Sequence, residues 1–439
     1  MKKILLSLSL LSAAGTSAAA DETDRLAHEI LADWWKSEIC ESDNLSFRGK
    51  LDFTTLFMRQ KIKKENDEAV ASLQGSLDFK YVAAKCDRSS FGAEIGVKTH
   101  SGVIKQKSPI LRISCLFFES PCIGKIRLGY VNTSADEFCI YGDKFLVGYG
   151  GAGSGNLGIF YNESAGSLVD TGFPFDDRKA LKISFLSPKI AGFSAGLSFT
   201  PDSRNATLFK TYHKRPHDDE INIERANFPG MRTAFSKNVL TGGAAYEFGD
   251  AEAWNVKISA SLWIGKGKSG ISDDKEVHNV RAFNLGAAVV CNKDFKFSFG
   301  YTDGGKSLRP RKYAVADIKV FDENKEYRFA FPEVGVKPGV DVGKIFSFGA
   351  AYAVSDKFTV SAGYFRSEVK FSFDEKSVAD IVTLAAEYTV NRTASLYIEY
   401  NNIGTDTCAR AQAYGRACGL SVTGKNQANM LMIGTKIRI

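Results

Sequence analysis

Two groups of charged side chains carry the spacing in this chain that could do chemistry. The stretch Asn132–Asp177 holds Asp136, Glu137, Asp143, Glu163 and Asp170 among many glycines, with Lys144 as its chief base. Upstream, Arg48, Lys50, Lys80, Lys98, Arg112, Lys125 and Arg127 occupy the polar positions of alternating apolar–polar segments. A glycine-rich loop can fold back into an enclosed space without steric penalty. Carboxylates on such a loop, set against fixed cations on a wall, would make a transverse field in the water between them. That field orients dipolar solutes and disfavours apolar ones. Two plainer arrangements stay open at this point. The loop could lie in bulk solvent, and the wall bases could pair with Asp52, Asp78 or Glu94 on neighbouring segments.

Other chemistries find little support. The five histidines (His28, His100, His213, His217 and His278) lie in the N-terminal stretch and long connections, none beside a serine of suitable parity, so a nucleophile lacks its base. His213 and His217 with Asp218 and Asp219 read as an exposed polar loop in preference to a metal site. No CxxC pair occurs, and no metal or other cofactor is expected. The run Gly148–Gly153 lacks the Lys-Ser/Thr and the following helix of a phosphate loop, and Thr207–Arg215 is basic but too short to suggest nucleic acid. An enzymatic role is therefore not expected. Of the eight cysteines, Cys408 and Cys418 flank a stretch of the last long connection and are expected to pair. Cys86 and Cys122 sit in neighbouring short turns where pairing is open, and Cys139 could tether the acidic loop. Cys115 and Cys291 read as small apolar residues on the outward parity.

The elements that must position these groups follow from periodicity. Met1-Lys2-Lys3, an apolar run to Leu11 and Ala18-Ala19-Ala20 before Asp21 read as a signal peptide over residues 1–20, which implies export. Leu26, Ile30 and Trp34 are four apart, so residues 21–44 are expected to hold a short amphipathic periplasmic helix. From Leu45 the period becomes two. About sixteen segments alternate in this way: 45–57, 74–84, 90–99, 110–118, 123–131, 178–186, 191–200, 239–249, 254–264, 279–292, 294–303, 344–354, 356–366, 378–390, 392–403 and 428–439. Their length suits tilted crossings of a bilayer.

The connections supply a second test. Those after even segments are short, such as 85–89, 187–190 and 391, whereas those after odd segments are long, such as 58–73, 132–177, 201–238 and 304–343. A soluble sandwich has no reason to keep that alternation, but an outer-membrane barrel does. In hydrocarbon every backbone N–H and C=O must be paired, so strands survive there only as a closed barrel. The apolar parity then faces lipid and the polar parity faces the lumen. Composition agrees. Mean hydropathy is −0.15, and 40 Gly and 32 Phe stand against 10 Pro. These values exclude a bundle of membrane helices and leave an all-β transmembrane antiparallel up-and-down barrel over 45–439. The net charge of +7 is a weak guide to partners. Outer-membrane lipid and lipopolysaccharide would surround such a barrel. Small hydrophilic solutes and ions would pass through it by diffusion. A substrate-specific channel is the alternative within transport, and a surface or structural protein (adhesin or envelope anchor) the alternative outside it.

Several stretches also resemble a known family. Lys182–Asp202 (KISFLSPKIAGFSAGLSFTPD) is similar to a strand–turn–strand of Gram-negative general porins of the alphaproteobacterial and neisserial type. Gly124–Tyr130 (GKIRLGY), Gly243–Phe248, Leu285–Asn292 and Phe295–Asp303 resemble further strands of that family. The resemblance implies a sixteen-stranded homotrimeric barrel in the outer membrane whose third loop narrows the pore. Family chains usually end in an aromatic residue, whereas this one ends Lys436-Ile437-Arg438-Ile439.

Overall fold

Alternation of apolar and polar residues builds strands that close on themselves. The computed structural model describes residues 45–60, 70–86, 89–101, 110–148, 180–203, 235–250, 253–268, 278–307, 318–322, 325–329, 343–370, 376–406 and 425–438. The expected signal peptide and N-terminal helix lie outside the described residues, as do Glu163, Asp170, Cys408 and Cys418. In chain order the strands are β1 (Leu45–Gln60), β2 (Val70–Cys86), β3 (Ser89–Ser101), β4 (Ile110–Ser120), β5 (Gly124–Tyr130), β6 (Leu181–Leu186), β7 (Phe193–Asp202), β8 (Phe235–Asp250) and β9 (Trp254–Lys268). They continue as β10 (Val280–Cys291), β11 (Phe295–Asp303), β12 (Ile318–Asp322), β13 (Lys325–Phe329), β14 (Lys344–Ala353), β15 (Phe358–Lys370), β16 (Lys376–Thr389), β17 (Ala394–Asp406) and β18 (Lys425–Arg438).

All but β12 and β13 form one closed antiparallel barrel of sixteen strands, each paired with its sequence neighbour. Closure is made by β1 on β18, in register from Lys50 opposite Arg438 to Gln60 opposite Ala428. Each of the sixteen expected segments corresponds to one barrel strand, and several strands run further into the long connections than periodicity indicated. The strands β12 and β13 pair only with each other, as a hairpin within the connection between β11 and β14. Short turns alternate with long connections around the barrel. At the turn between β10 and β11, Asn292 and Lys293 both take positive φ, the handedness that tight hairpins require.

The two faces of the wall differ as the parity demands. On β7, Leu197 is 56% and Phe199 40% exposed, whereas the intervening Ser198 and Thr200 are buried. On β10, Phe283 and Leu285 are exposed while Ala282 and Asn284 are buried. Large apolar side chains therefore point away from the barrel, the reverse of a soluble barrel. At the short-turn end this outward face carries aromatic rings. Phe295 stacks on Tyr352 with centroids 4.3 Å apart, and Phe248 meets Trp254 edge-on at 5.7 Å. At the long-connection end it becomes a polar collar. There Lys344 lies 3.6 Å from Asp303, Arg366 contacts Glu368 and Asp380 at 2.9 and 3.3 Å, and Asn402 donates to Asn429 at 2.6 Å. An apolar band between an aromatic girdle and a polar rim is what a bilayer selects.

The ladder slips register at three places, between Val82 and Ala84 of β2, between Lys237 and Leu240 of β8, and on β4, where it bears on the wall bases. Gly96 of β3 stands opposite Ile113 of β4, and Val97 stands opposite Leu111, so Arg112 is the extra residue of a β-bulge. A bulge inserts one unpaired residue and reverses parity beyond it. In consequence Ile113, Cys115 and Phe117 face inward, and Cys115 packs with Ile113 and Val131 instead of facing outward as its position suggested. Cys291 keeps the parity of the exposed Phe283 and Leu285, as expected. Cys122 is a free, exposed thiol, so it does not pair with Cys86. Cys115, Cys139 and Cys291 are free as well.

Candidate functional site

The inward face is rich in serine, threonine and glycine, and one segment of chain lies against it. After β5, residues Val131–Gly148 turn into the barrel and cross the inner face of successive strands. The segment begins with a short helix, α1 (Ser134–Phe138), closed by a capping box. The Thr133 hydroxyl accepts from Asp136 N at 3.1 Å, and the Asp136 carboxylate accepts from Thr133 N at 3.4 Å. A single 3-10 turn comes next, at Gly142–Phe145.

Wall side chains on β7, β9, β11, β14, β15 and β16 grip the backbone of this segment. Ser134 N donates to Ser198 Oγ on β7 at 2.6 Å, and Ser261 Oγ on β9 donates to Ala135 O at 2.9 Å. On β11 Ser298 Oγ donates to Gly142 O, and Gly142 N donates to Ser347 Oγ on β14, both at 2.8 Å. Val147 N donates to Ser361 Oγ on β15 at 3.1 Å, and Gly148 N to Glu387 Oε2 on β16 at 3.1 Å. A segment buried without such partners would leave its amides unsatisfied, at a cost of about 1–3 kcal/mol each.

Glycines in the wall provide the room. A Cβ on Gly243 of β8 would lie 2.7 Å from the Phe138 ring, and one on Gly286 of β10 would lie 2.6 Å from Ile140 Cβ. A Cβ on Gly300 of β11 would come within 2.6 Å of Ile140 O. Gly349 of β14 sits directly beneath the Gly142 carbonyl, and Gly363 of β15 beneath Leu146. At the far end Gly148 has φ +76°, and a side chain there would meet Glu399. Its anchor, Glu387, also accepts from Lys436 Nζ at 2.6 Å and Ser395 Oγ at 2.8 Å. The ion pair to Lys436 ties β16 to the last strand beside Gly148.

The charged residues singled out from the sequence fall into three sets. In the inner segment, Asp136 serves the cap of α1 and Glu137 accepts from Arg127 Nη2 at 3.0 Å. Asp143 opens the 3-10 turn, and burial pushes its carboxyl above the usual carboxylate range. Beside it, Lys144 is lowered, first by burial and then by the charge of Lys257. On the wall, Lys80 and Lys125 both reach Glu119, at 3.1 and 3.8 Å, and both stand over the Phe117 ring. Lys50 pairs with Asp52 at 2.7 Å, and the exposed Arg48 stands opposite Asp78 in register. For Lys98 and Arg112 the backbone is described and the side chain is not: Lys98 lies opposite Ile110, and Arg112 is the bulge residue. Arg127 is buried on β5 and links the wall to the root of the inner segment. The wall serines and glycines that hold the segment were missed as functional residues. Their only sequence signal is small size at the polar parity of β7 to β15.

Comparison with known proteins decides the family. The family described as Gram-negative porin matches residues 8–407 of this chain. The chain belongs to the Gram-negative porin family. It is accordingly an outer-membrane β-barrel protein. Among curated relatives, an uncharacterized protein of Rickettsia bellii is 25% identical over 373 residues, covering 74% of this porin and 76% of the relative. An uncharacterized protein of Rickettsia typhi is 25% identical over 374 residues, covering 71% and 79%. Among solved structures, OmpF of Salmonella typhi aligns over 90% of this chain and 98% of its own, with TM-score 0.54 and 12% identity. OmpT of Vibrio cholerae aligns over 92% and 100%, with TM-score 0.51 and 15% identity. At such identities the likeness is one of fold. Among the described residues no group of three His, Cys, Asp or Glu could hold a metal.

Proposed function

We propose that this porin is a water-filled channel for passive diffusion of small hydrophilic solutes and ions, narrowed by its inner segment. The observation that carries the reading is the course of Val131–Gly148 along the inner wall, bonded to Ser198, Ser261, Ser298, Ser347, Ser361 and Glu387. Around sixteen strands enclose a lumen too wide for wall side chains alone to fill. A segment bound along one arc of that lumen reduces the aperture and leaves the rest to water. The carboxylates of the connection, Asp136, Glu137, Asp143, Glu163 and Asp170, would then share the lumen with the bases of β1 to β5. The Arg127–Glu137 pair is where the two sets meet. The proposal extends to a homotrimer in lipid and lipopolysaccharide, on the strength of the family resemblance, and to transport without catalysis.

Reconstitution of the folded protein into planar bilayers tests this. Discrete ohmic steps are expected, grouped in threes, with a reversal potential in a salt gradient that shifts toward cations in Arg127→Glu and Arg48→Glu. A folded barrel that carries no current would overturn the channel reading. Unchanged reversal potentials in both variants would overturn the charge assignment. Closure in single steps would overturn the trimer.

A further inference from the structure

We propose that the grip on Gly142 is the positioning element that fixes the aperture of this pore, and that Ser298, Ser347, Gly300 and Gly349 set its size limit through the inner segment. The inference rests on the channel reading above and adds which residues determine its selectivity for size.

The geometry at Gly142 is closed on every side. Its carbonyl accepts from Ser298 Oγ on β11, and its amide donates to Ser347 Oγ on β14, each at 2.8 Å. Ser347 Oγ in turn donates to Gly300 O at 3.3 Å, so the acceptor is itself oriented by the wall. With both polar groups of this residue bonded to two adjacent strands, Gly142 can neither rotate nor lift without losing both bonds. Steric room is equally specific. A Cβ on Gly142 would collide with Phe348 N, and one on Gly349 with Gly142 O. A Cβ on Gly300 would lie 2.6 Å from Ile140 O and 2.7 Å from Tyr141 Cα. The segment therefore lies at its closest approach to the wall, and only glycine permits it.

Asp143 and Lys144, next along the chain, give the grip its consequence. Lys144 feels the charges of Lys257 and Glu247 on the inward faces of β9 and β8. Fixing Gly142 thus fixes the height of the exposed Lys144 above the wall and the width of water left beside it. Asp136 and Glu137, by contrast, are committed to the helix cap and to Arg127. The aperture is set by uncharged residues whose effect is transmitted through a backbone contact.

Two kinds of variant separate this from a merely structural role. Gly300→Ala adds one methyl under the segment and displaces it toward the axis, because a packed wall yields less readily than a connection. Its unit conductance should fall by about a third, and uptake of the larger solutes in liposome swelling should fall more than that of the smaller. The double variant Ser298→Ala and Ser347→Ala removes both bonds without adding volume. It should broaden the distribution of step sizes about twofold and raise the solute-size cut-off. Gly404→Ala, with nothing within 4 Å of its Cβ, is the control that should match wild type. Heat-modifiable migration on gels verifies folding in each case. If Gly300→Ala does not fold, the double variant decides. Folded variants with wild-type step size, spread and cut-off would overturn the proposal while leaving the channel reading intact. A non-conducting wild type would overturn the channel reading itself.

Discussion

Asp143 shows how far a single residue departs from its type. Its carboxyl lies where the inner segment meets the wall, and burial raises it above the usual carboxylate range. The folded chain holds this proton at a pH where the unfolded chain has released it, so the native state binds more protons in that window. The stabilisation is full below the ordinary aspartate value and is lost as pH rises through the raised one. Asp143→Asn should therefore flatten the urea midpoint against pH across that window. Wild type and variant are expected to diverge as pH rises and to agree below it. Parallel curves would show that Asp143 titrates as an ordinary surface group. The sequence offered Asp143 as a candidate lumen carboxylate and gave no sign of its burial, which depends on the path the backbone takes after Phe138. At the same scale, burial pushes the Cys139 thiol up to about 12, so it sits in the segment as an inert apolar contact beside Trp263.

At the scale of elements, period-two alternation was sufficient to find every barrel strand, because outward side chains meet a uniform solvent and need only be apolar. The inward face obeys no single solvent. Some of it meets water, some meets Val131–Gly148, and serine or glycine at the polar parity reads the same in both cases. The bulge at Arg112 was hidden for a different reason: parity on β4 is ambiguous when Leu111, Ile113, Leu116 and Phe118 are all apolar. Only the register with β3 shows that Ile113 and Cys115 face inward. Thiol chemistry tests this element directly. A membrane-soluble maleimide applied to the reconstituted barrel should modify Cys291, on the outward parity, and a water-soluble one the exposed Cys122. Neither should reach Cys115 without unfolding. Site mapping by mass spectrometry that found Cys115 modified by the lipid-phase reagent would place β4 in the opposite register.

At the scale of the whole molecule, the barrel is one cooperative object, because removing any strand exposes two edges of unpaired backbone to lipid. Deleting residues 425–438 removes the partner of both β1 and β17. No heat-modifiable barrel should then form, however much chain is made. Replacing residues 318–329 by a short linker should preserve it, since β12 and β13 pair only with each other. A folded barrel from the first deletion would contradict the closure, and loss of the barrel on the second would make the hairpin part of the wall. The sequence disclosed this wholeness only indirectly, through the rhythm of short and long connections.

The polar collar carries a consequence of its own. On β15 the outward face runs from Phe358 at the short turn to Arg366 in the collar. At ~3.3 Å per residue and a tilt of ~40°, that span gives a hydrocarbon-matching height of roughly 20 Å. An average bilayer core is about 30 Å thick, and the bacterial outer membrane is thinner than average. The ion pairs of Arg366, Glu368 and Asp380 would otherwise be drawn into the acyl region, so the leaflet beside β15 is expected to thin to meet them, whereas the exposed apolar face of β9 runs further, from Trp254 to Ile264. Hydrophobic mismatch would thus act on one arc of this barrel, where short-chain lipids would sit with the least distortion.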